Sequence, residues 1–392
     1  MVRQARVGVL QIFVIALCVR VLAVAVAHQS PSFAAGLVQP DVRETYRPMA
    51  LAILENFNPY HGTDRGIFVP PLFPAWLALC YALLGIETPI WAFGLINSVL
   101  RAGSVSLVFL LSQRLVGRRA ALAAATLMML DPWEWFWTPY LMKESLSVFL
   151  MLVAVVALHR ALTGKRDLGT PILASLLVVL AGLAFYGTLI LLLLAPRLRL
   201  AQRKAGALRW TLRWAAAPLV IFLAVAQSQN WTVPRSAKAI SWIIESPLTS
   251  LVSSTDTRGY SPGNDTHLRD PPPNLTEEAA DALRVWSAMG RGFVRRVMNL
   301  LRPAMSGARP TTFLLLGVPY LVLLVFAIVG FRQEPKRLLF CSGGAALITL
   351  LLLLNNSGVR QRQYVMPWLY PAAGLIAERV AAKWGKRRAA VG

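Results

Sequence analysis

Two carboxylates in a short aromatic segment, Asp41 and Glu44, are the residues most suited to chemistry. They lie in Gln39-Pro-Asp41-Val-Arg-Glu44-Thr-Tyr46, which continues through Asn58-Pro-Tyr60 to Val69-Pro-Pro-Leu-Phe-Pro74. With 18 Asp and Glu against 40 Lys and Arg, acids beside Tyr46 and Tyr60 stand out. A third acid, Glu144, follows Lys143 at the head of an apolar run. His61 and Asp64 in His-Gly-Thr-Asp offer either metal ligands or a polar turn. Arg20 and Arg101 fall inside apolar runs, where a charged side chain is costly unless paired or facing water, so function is the default hypothesis. Arg20 can instead snorkel to an interface, and Arg101 can pair with a buried acid. Arg360 and Arg362 precede the last apolar run. On the outer face of a membrane, ATP and nucleotide sugars are absent. Group transfer there must draw on a lipid-borne donor, and fixed cations suit the phosphate it releases.

The elements that would position these groups are membrane helices. The 392 residues are 56% hydrophobic and 15% charged, with mean hydropathy +0.55, whereas soluble domains carry about 25% charged residues. A net charge of +22 is compatible with nucleic acid, but the Lys and Arg sit in short runs between apolar stretches, a topology signal that excludes that partner. Cys18, Cys80 and Cys341 lie in apolar segments without paired spacing, so neither a disulfide framework nor a zinc site is indicated. Met1 to Ala27 imitates a signal peptide, yet its apolar stretch is of spanning length and reads as an uncleaved first helix.

Apolar runs near spanning length occur at about 7–27, 89–113, 170–196, 210–227, 311–331, 338–354 and 364–382, with 119–130 and 141–162 between them. The basic runs at the N-terminus, 114–119, 160–166, 197–213, 332–337 and 383–388 hold roughly three times as many Lys and Arg as the short outer loops, which sets them in the cytoplasm. Alternation then requires 170–196 to be a hairpin turning at Tyr186-Gly187, and 70–84 not to cross. About ten spans result, with both termini inside. Residues 70–84 are too short to span and read as a juxtamembrane helix lying outside, with Pro70 and Pro71 in its first turn. Trp133, Trp135, Phe136, Trp137 and Tyr140 mark a second outer loop at headgroup level.

A long outer segment, 228–310, is rich in Ser, Thr, Asn and Pro up to Asn274. Its second half carries Arg284, Arg291, Arg295 and Arg302 on one helical stripe, the pattern of a helix lying in the interface plane. That stripe suits anionic lipid headgroups or a phosphate-bearing acceptor. No internal repeat or inverted pair of broken helices is evident, which weakens a transporter reading. The domain plan is therefore a transmembrane module at 1–227 with its first outer loop at 28–88, the outer loop 228–310, and C-terminal helices with a basic tail at 311–392.

Taken in order, several pieces resemble the GT-C glycosyltransferases, above all the protein O-mannosyltransferases and the lipid A aminoarabinose transferases. They are an outer-loop acid followed by Tyr46-x-x-x-Ala50, the Pro-Pro-Leu-Phe-Pro helix, a span holding Asn97, the turn Arg114-Leu-Val-Gly-Arg-Arg119, and Lys143-Glu144 in the second outer loop. Arg360-Gln-Arg362-Gln-Tyr364-Val-Met-Pro367 is similar to the motif that opens a late span in those families. The resemblance covers 7–200 well and 355–382 weakly.

The resemblance implies an all-α polytopic fold and an inverting enzyme that moves a sugar from a polyprenyl-phosphate donor to an extracytoplasmic acceptor. By it Asp41 is the general base, with Glu44 as the alternative because Asp41 stands five residues before the Tyr where the family has about four. Glu144 takes the second acidic position, near donor phosphate or metal, and Arg20, Tyr46, Tyr60, Arg101, Lys143, Arg360 and Arg362 contribute to the donor site. A divalent cation, Mg or Mn, would sit at Asp41 and Glu144. The acceptor expected is a glycolipid or cell-envelope glycan, and the location a bacterial inner membrane, on the associational ground of Arg-rich composition. The competing class is a lipid-glycan flippase in which the arginines guide a phosphate headgroup and Asp41 catalyses nothing.

Overall fold

A computed structural model describes residues 2–29, 37–38, 41–59, 61, 69–163, 169–184, 313–355 and 359–391. The loop 228–310 with its arginine stripe, the turn at Tyr186-Gly187, and Tyr60 and Asp64 lie outside the described residues.

The regular structure among the described residues is helical apart from one isolated bridge. In chain order the helices are α1 (Val2–His28), α2 (Arg47–Asn56), α3 (Leu72–Leu84), α4 (Ile90–Val116), α5 (Arg118–Leu130), α6 (Pro132–Trp137), α7 (Lys143–Thr163), α8 (Gly169–Ala184), α9 (Val318–Gln333), α10 (Leu339–Asn355) and α11 (Met366–Val391). Among the described residues, four segments are long and apolar enough to cross a bilayer: Gly8–His28, Ile90–Val116, Lys143–Ala161 and Leu314–Gln333. Leu10, Leu22 and Val26 of α1 and Val325 and Ile328 of α9 are exposed. In water such surface would be costly; in hydrocarbon it is matched. The chain is a helical membrane protein.

Packing follows small residues. Gly374 of α11 approaches the backbone of α5 so closely that an added Cβ would meet the Ala120 carbonyl oxygen at 2.5 Å. Alanines 120, 121 and 124 on the facing side of α5 are buried. Small side chains let helix backbones approach where lipid supplies no hydrophobic drive. The α4–α5 connection turns at Gly117, φ 93°, a conformation that only glycine adopts without strain.

The short helices between α1 and α4 form a cluster of their own. Val42, Tyr46 and Ala50 bury against Phe73, Leu77 and Tyr81 of α3, with Phe93 of α4 and Leu146 of α7 beneath them. Tyr46 meets Phe73 edge to face at 5.0 Å, and Tyr81 meets Phe93 in the same way at 5.8 Å. At 13 residues α3 is about 20 Å long, short of a bilayer core. Pro71 takes the N-cap and the helix begins at Leu72, so the prolines stand just ahead of the first turn expected of them; Pro71 has helical dihedrals and its carbonyl accepts from the Ala75 N–H at 3.0 Å.

Candidate functional site

Asp41 opens a π turn, Val42–Tyr46, that runs into α2. Its side chain makes no capping hydrogen bond, so the capping role open to a loop acid is not the one it plays. Asp41 is half-buried and Glu44, one turn on, is exposed. Pro48 in the first turn of α2 and the left-handed Phe57 at its end, φ 55°, delimit the element that carries them.

The segment that follows α1 and the segment that precedes α7 are joined by backbone pairing. Leu141 donates its N–H to the Leu37 carbonyl at 3.0 Å, within a parallel bridge between Val38 and Leu141. From the other side, Asn97 of α4 donates from Nδ2 to the Tyr140 carbonyl at 2.7 Å. These bonds bring Lys143 and Glu144, at the start of α7, to the Asp41 segment. The Lys143 ammonium lies 5.5 Å from the centre of the Tyr46 ring. Burial pushes the Tyr46 phenol above its ordinary range, Lys143 works in the opposite direction, and Glu144 and Asp41 add smaller upward pushes. Asp41, Tyr46, Lys143 and Glu144 therefore share one electrostatic neighbourhood. Glu144 is buried, 1% exposed.

The intramembrane arginines meet a second group of acids that the sequence reading did not single out. Arg101 is ion-paired with Glu134 of α6, donates from Nη2 to Gln363 Oε1 at 2.6 Å and from Nε to Ser145 Oγ at 3.2 Å. All of these groups are buried. Of the roles open to Arg101, pairing with a buried acid is the one seen. Arg20 does not snorkel: it is fully buried and donates from Nη2 to the Met128 carbonyl at 2.8 Å. Its Nε and Nη1 have no hydrogen-bond partner among the described residues.

Asp131 caps α6, accepting from the Trp133 N–H at 2.9 Å, and also accepts from the Tyr370 hydroxyl of α11 at 2.6 Å. Burial, and then the neighbouring Glu134 charge, push its carboxyl up to about 6. Arg362 lies in a 3₁₀ turn, Val359–Tyr364, with Arg360. Its guanidinium is held between two rings, 4.3 Å from the centre of Trp133 and 4.2 Å from that of Tyr320. A small cavity beside it is lined by Asp131, Trp133, Glu134, Trp137, Gln363 and Met366 as well as Arg362.

Arg101 links the two groups: its Nε reaches Ser145, next to Glu144, while its other nitrogens hold Glu134 and Gln363 at the cavity. The signal for Glu134 was a lone acid inside Trp133-Glu-Trp-Phe-Trp137, out of place in an aromatic belt unless paired inward. Asp131-Pro132 was a helix-start signal. Gln363 and Tyr370 carried no such mark. His61 is exposed, and among the described residues no group of three or more His, Cys, Asp or Glu is poised to hold a metal ion.

Neither a family model nor a curated protein matches the sequence. Solved structures do match it. The crystal structure of the Archaeoglobus fulgidus oligosaccharyltransferase in the apo form is similar with a TM-score of 0.57 at 14% identity, covering 98% of this chain and 52% of that one. The archaeal oligosaccharyltransferase AglB from Archaeoglobus fulgidus, in complex with an inhibitory peptide and a dolichol-phosphate, gives a TM-score of 0.56 at 14% identity, covering 97% and 51%. This chain thus spans about half the length of the structures it matches, and what it shares with them over that half is the fold.

Proposed function

We propose that this protein is an inverting membrane glycosyltransferase that moves a sugar from a polyprenyl-phosphate donor to an extracytoplasmic acceptor, a glycolipid or cell-envelope glycan. The observation that carries the reading is the meeting of Asp41, Tyr46, Lys143 and Glu144 from two outer segments about a hundred residues apart, under the Leu37–Leu141 pairing. The fold shared with an oligosaccharyltransferase, one structure of which holds a dolichol-phosphate, supports it.

In this reading the acceptor hydroxyl oxygen attacks the anomeric carbon while the bond from that carbon to the phosphate oxygen breaks. The polyprenyl phosphate leaves with the bonding pair, and Asp41 takes the hydroxyl proton. Asp41 is favoured over Glu44 because it is half-buried and acts on Tyr46 together with Glu144, whereas Glu44 is exposed. Lys143, Arg20, Arg360 and Arg362 are the cations that meet the developing phosphate charge. Tyr60 and Arg101 complete the donor site, Arg101 by orienting Ser145 beside Glu144.

Asp41 and Glu144 are the carboxylates that would hold a hard divalent cation such as Mg or Mn. Such an ion, when bound, would neutralise charge on the leaving phosphate.

The location proposed is the plasma membrane of a bacterium, with about ten spans, both termini cytoplasmic and residue 41 outside. In this plan 1–227 form the catalytic module, and the loop 228–310 covers the acceptor side, with its arginines on anionic lipid. An assay with polyprenyl-phosphate sugars tests the reaction. Asp41→Asn is expected to abolish transfer while the donor lipid still binds. Lipid-glycan transport that survives Asp41→Asn, with no transfer by the unaltered protein, would establish the flippase reading instead. Impermeant labelling of a cysteine placed at residue 41 tests the sidedness separately.

A further inference from the structure

The cavity beside Arg362 has an unbalanced supply of hydrogen-bonding groups. Four of its acceptor atoms are engaged: Asp131 Oδ1 receives the Trp133 N–H, Asp131 Oδ2 the Tyr370 hydroxyl, Glu134 Oε2 Arg101, and Gln363 Oε1 also Arg101. Its donors are left over. Trp133 Nε1, Trp137 Nε1 and Gln363 Nε2 are buried and have no hydrogen-bond partner among the described residues. The three side chains that carry them are 4%, 5% and 3% exposed, and all three line the same cavity.

A buried N–H without an acceptor is costly, so three around one space call for a group that supplies oxygen lone pairs. Arg362 lines the cavity together with the carboxylates Asp131 and Glu134; Glu134 is ion-paired with Arg101, and Arg20 is within electrostatic reach of both acids. The volume, about 10 Å³, is room for one oxygen-sized group and excludes a sugar ring.

We infer that this cavity is an oxyanion subsite: Trp133 Nε1, Trp137 Nε1 and Gln363 Nε2 donate to one oxygen of a phosphate or carboxylate group, with the ring-stacked Arg362 guanidinium beside it. The inference stands on the donor set alone and does not require the glycosyltransferase reading. The shared chemistry is a compact oxyanion, whether carried by a lipid headgroup or by a soluble anion.

The test is a titration of the purified full chain, with ligand affinity read from indole fluorescence and from the thermal unfolding midpoint. Inorganic phosphate, acetate and polyprenyl phosphate are the probes. Saturable binding is expected for at least one of them. Gln363→Glu keeps an oxygen for Arg101 while replacing the donor amide by a like charge, and is expected to weaken binding at least about a hundredfold. Trp137→Phe keeps a ring but removes one N–H, and is expected to weaken it about tenfold. Competition of polyprenyl phosphate with inorganic phosphate at one site supports the subsite with a lipid source; binding of phosphate or acetate without that competition supports it with a soluble source. Absence of saturable binding by all three probes, or unchanged affinity in both variants of a folded protein, would leave the cavity as a water site only and overturn the inference. Because no sugar transfer is measured, failure here leaves the Asp41 assay unaffected.

Discussion

Arg101 donates to Gln363 at 2.6 Å across 262 residues of sequence, and the same guanidinium holds Glu134. One side chain of α4 thereby ties α6 to the turn that precedes the last helix. A buried pair of this kind adds little net stability when complete and costs much when broken, because the survivor is an uncompensated charge.

Arg101→Met is therefore expected to destabilise the protein by about 3–5 kcal/mol by stranding Glu134. Arg101→Met combined with Glu134→Leu is expected to recover most of that loss. Thermal unfolding of both in the same detergent measures the difference, and equal losses would show that the pair is not the source.

Asp131 sets a pH dependence. Its carboxyl, about 6 in the folded protein against an ordinary 3.8, binds its proton more tightly when folded. Above pH 6 it is ionised in both states and the folded protein bears the full penalty. Stability is expected to rise as pH falls from about 6 to about 4, by about 3 kcal/mol from this group, with no further gain below. Unfolding midpoints of the wild type and of Asp131→Asn across that window isolate the contribution, since the amide variant lacks the slope.

The acids of the first outer loop are expected to differ in consequence. Asp41→Asn should lower sugar transfer by at least about a hundredfold, the scale of general-base catalysis. Glu44→Gln, on an exposed side chain, should change it by no more than a few-fold. Rates measured with a saturating polyprenyl-phosphate sugar decide between them, and a reversed order would transfer the role of base to Glu44.

Helix packing gives a test free of any functional reading. In Gly374→Ala the new methyl would meet the Ala120 carbonyl oxygen at 2.5 Å and the Ala124 nitrogen at 2.6 Å, backbone atoms that cannot rotate away. A loss of about 1–3 kcal/mol is expected. Gly385→Ala, on the same helix with nothing within 4 Å of the added carbon, is expected to be neutral or stabilising by up to about 1 kcal/mol. The two unfolding midpoints, compared side by side, report whether α5 and α11 are in that contact.

The amino-acid sequence by itself determined the material of the protein. Apolar length specified membrane helices, and the brevity of residues 70–84 specified a helix too short to cross, because hydrophobic burial and helix length act within one segment. It also marked Arg20 and Arg101 as charges needing an explanation, and singled out Asp41 and Glu144 among the few acids. Only tertiary structure decided which groups answer those charges. Glu134, Gln363 and Ser145 reach Arg101 from three separate elements, and Trp133 and Tyr320 close on Arg362 from two. Such pairings depend on the rotation and depth at which helices pack, and those are set by close approaches such as Gly374 on Ala120, which no periodicity within a single segment encodes.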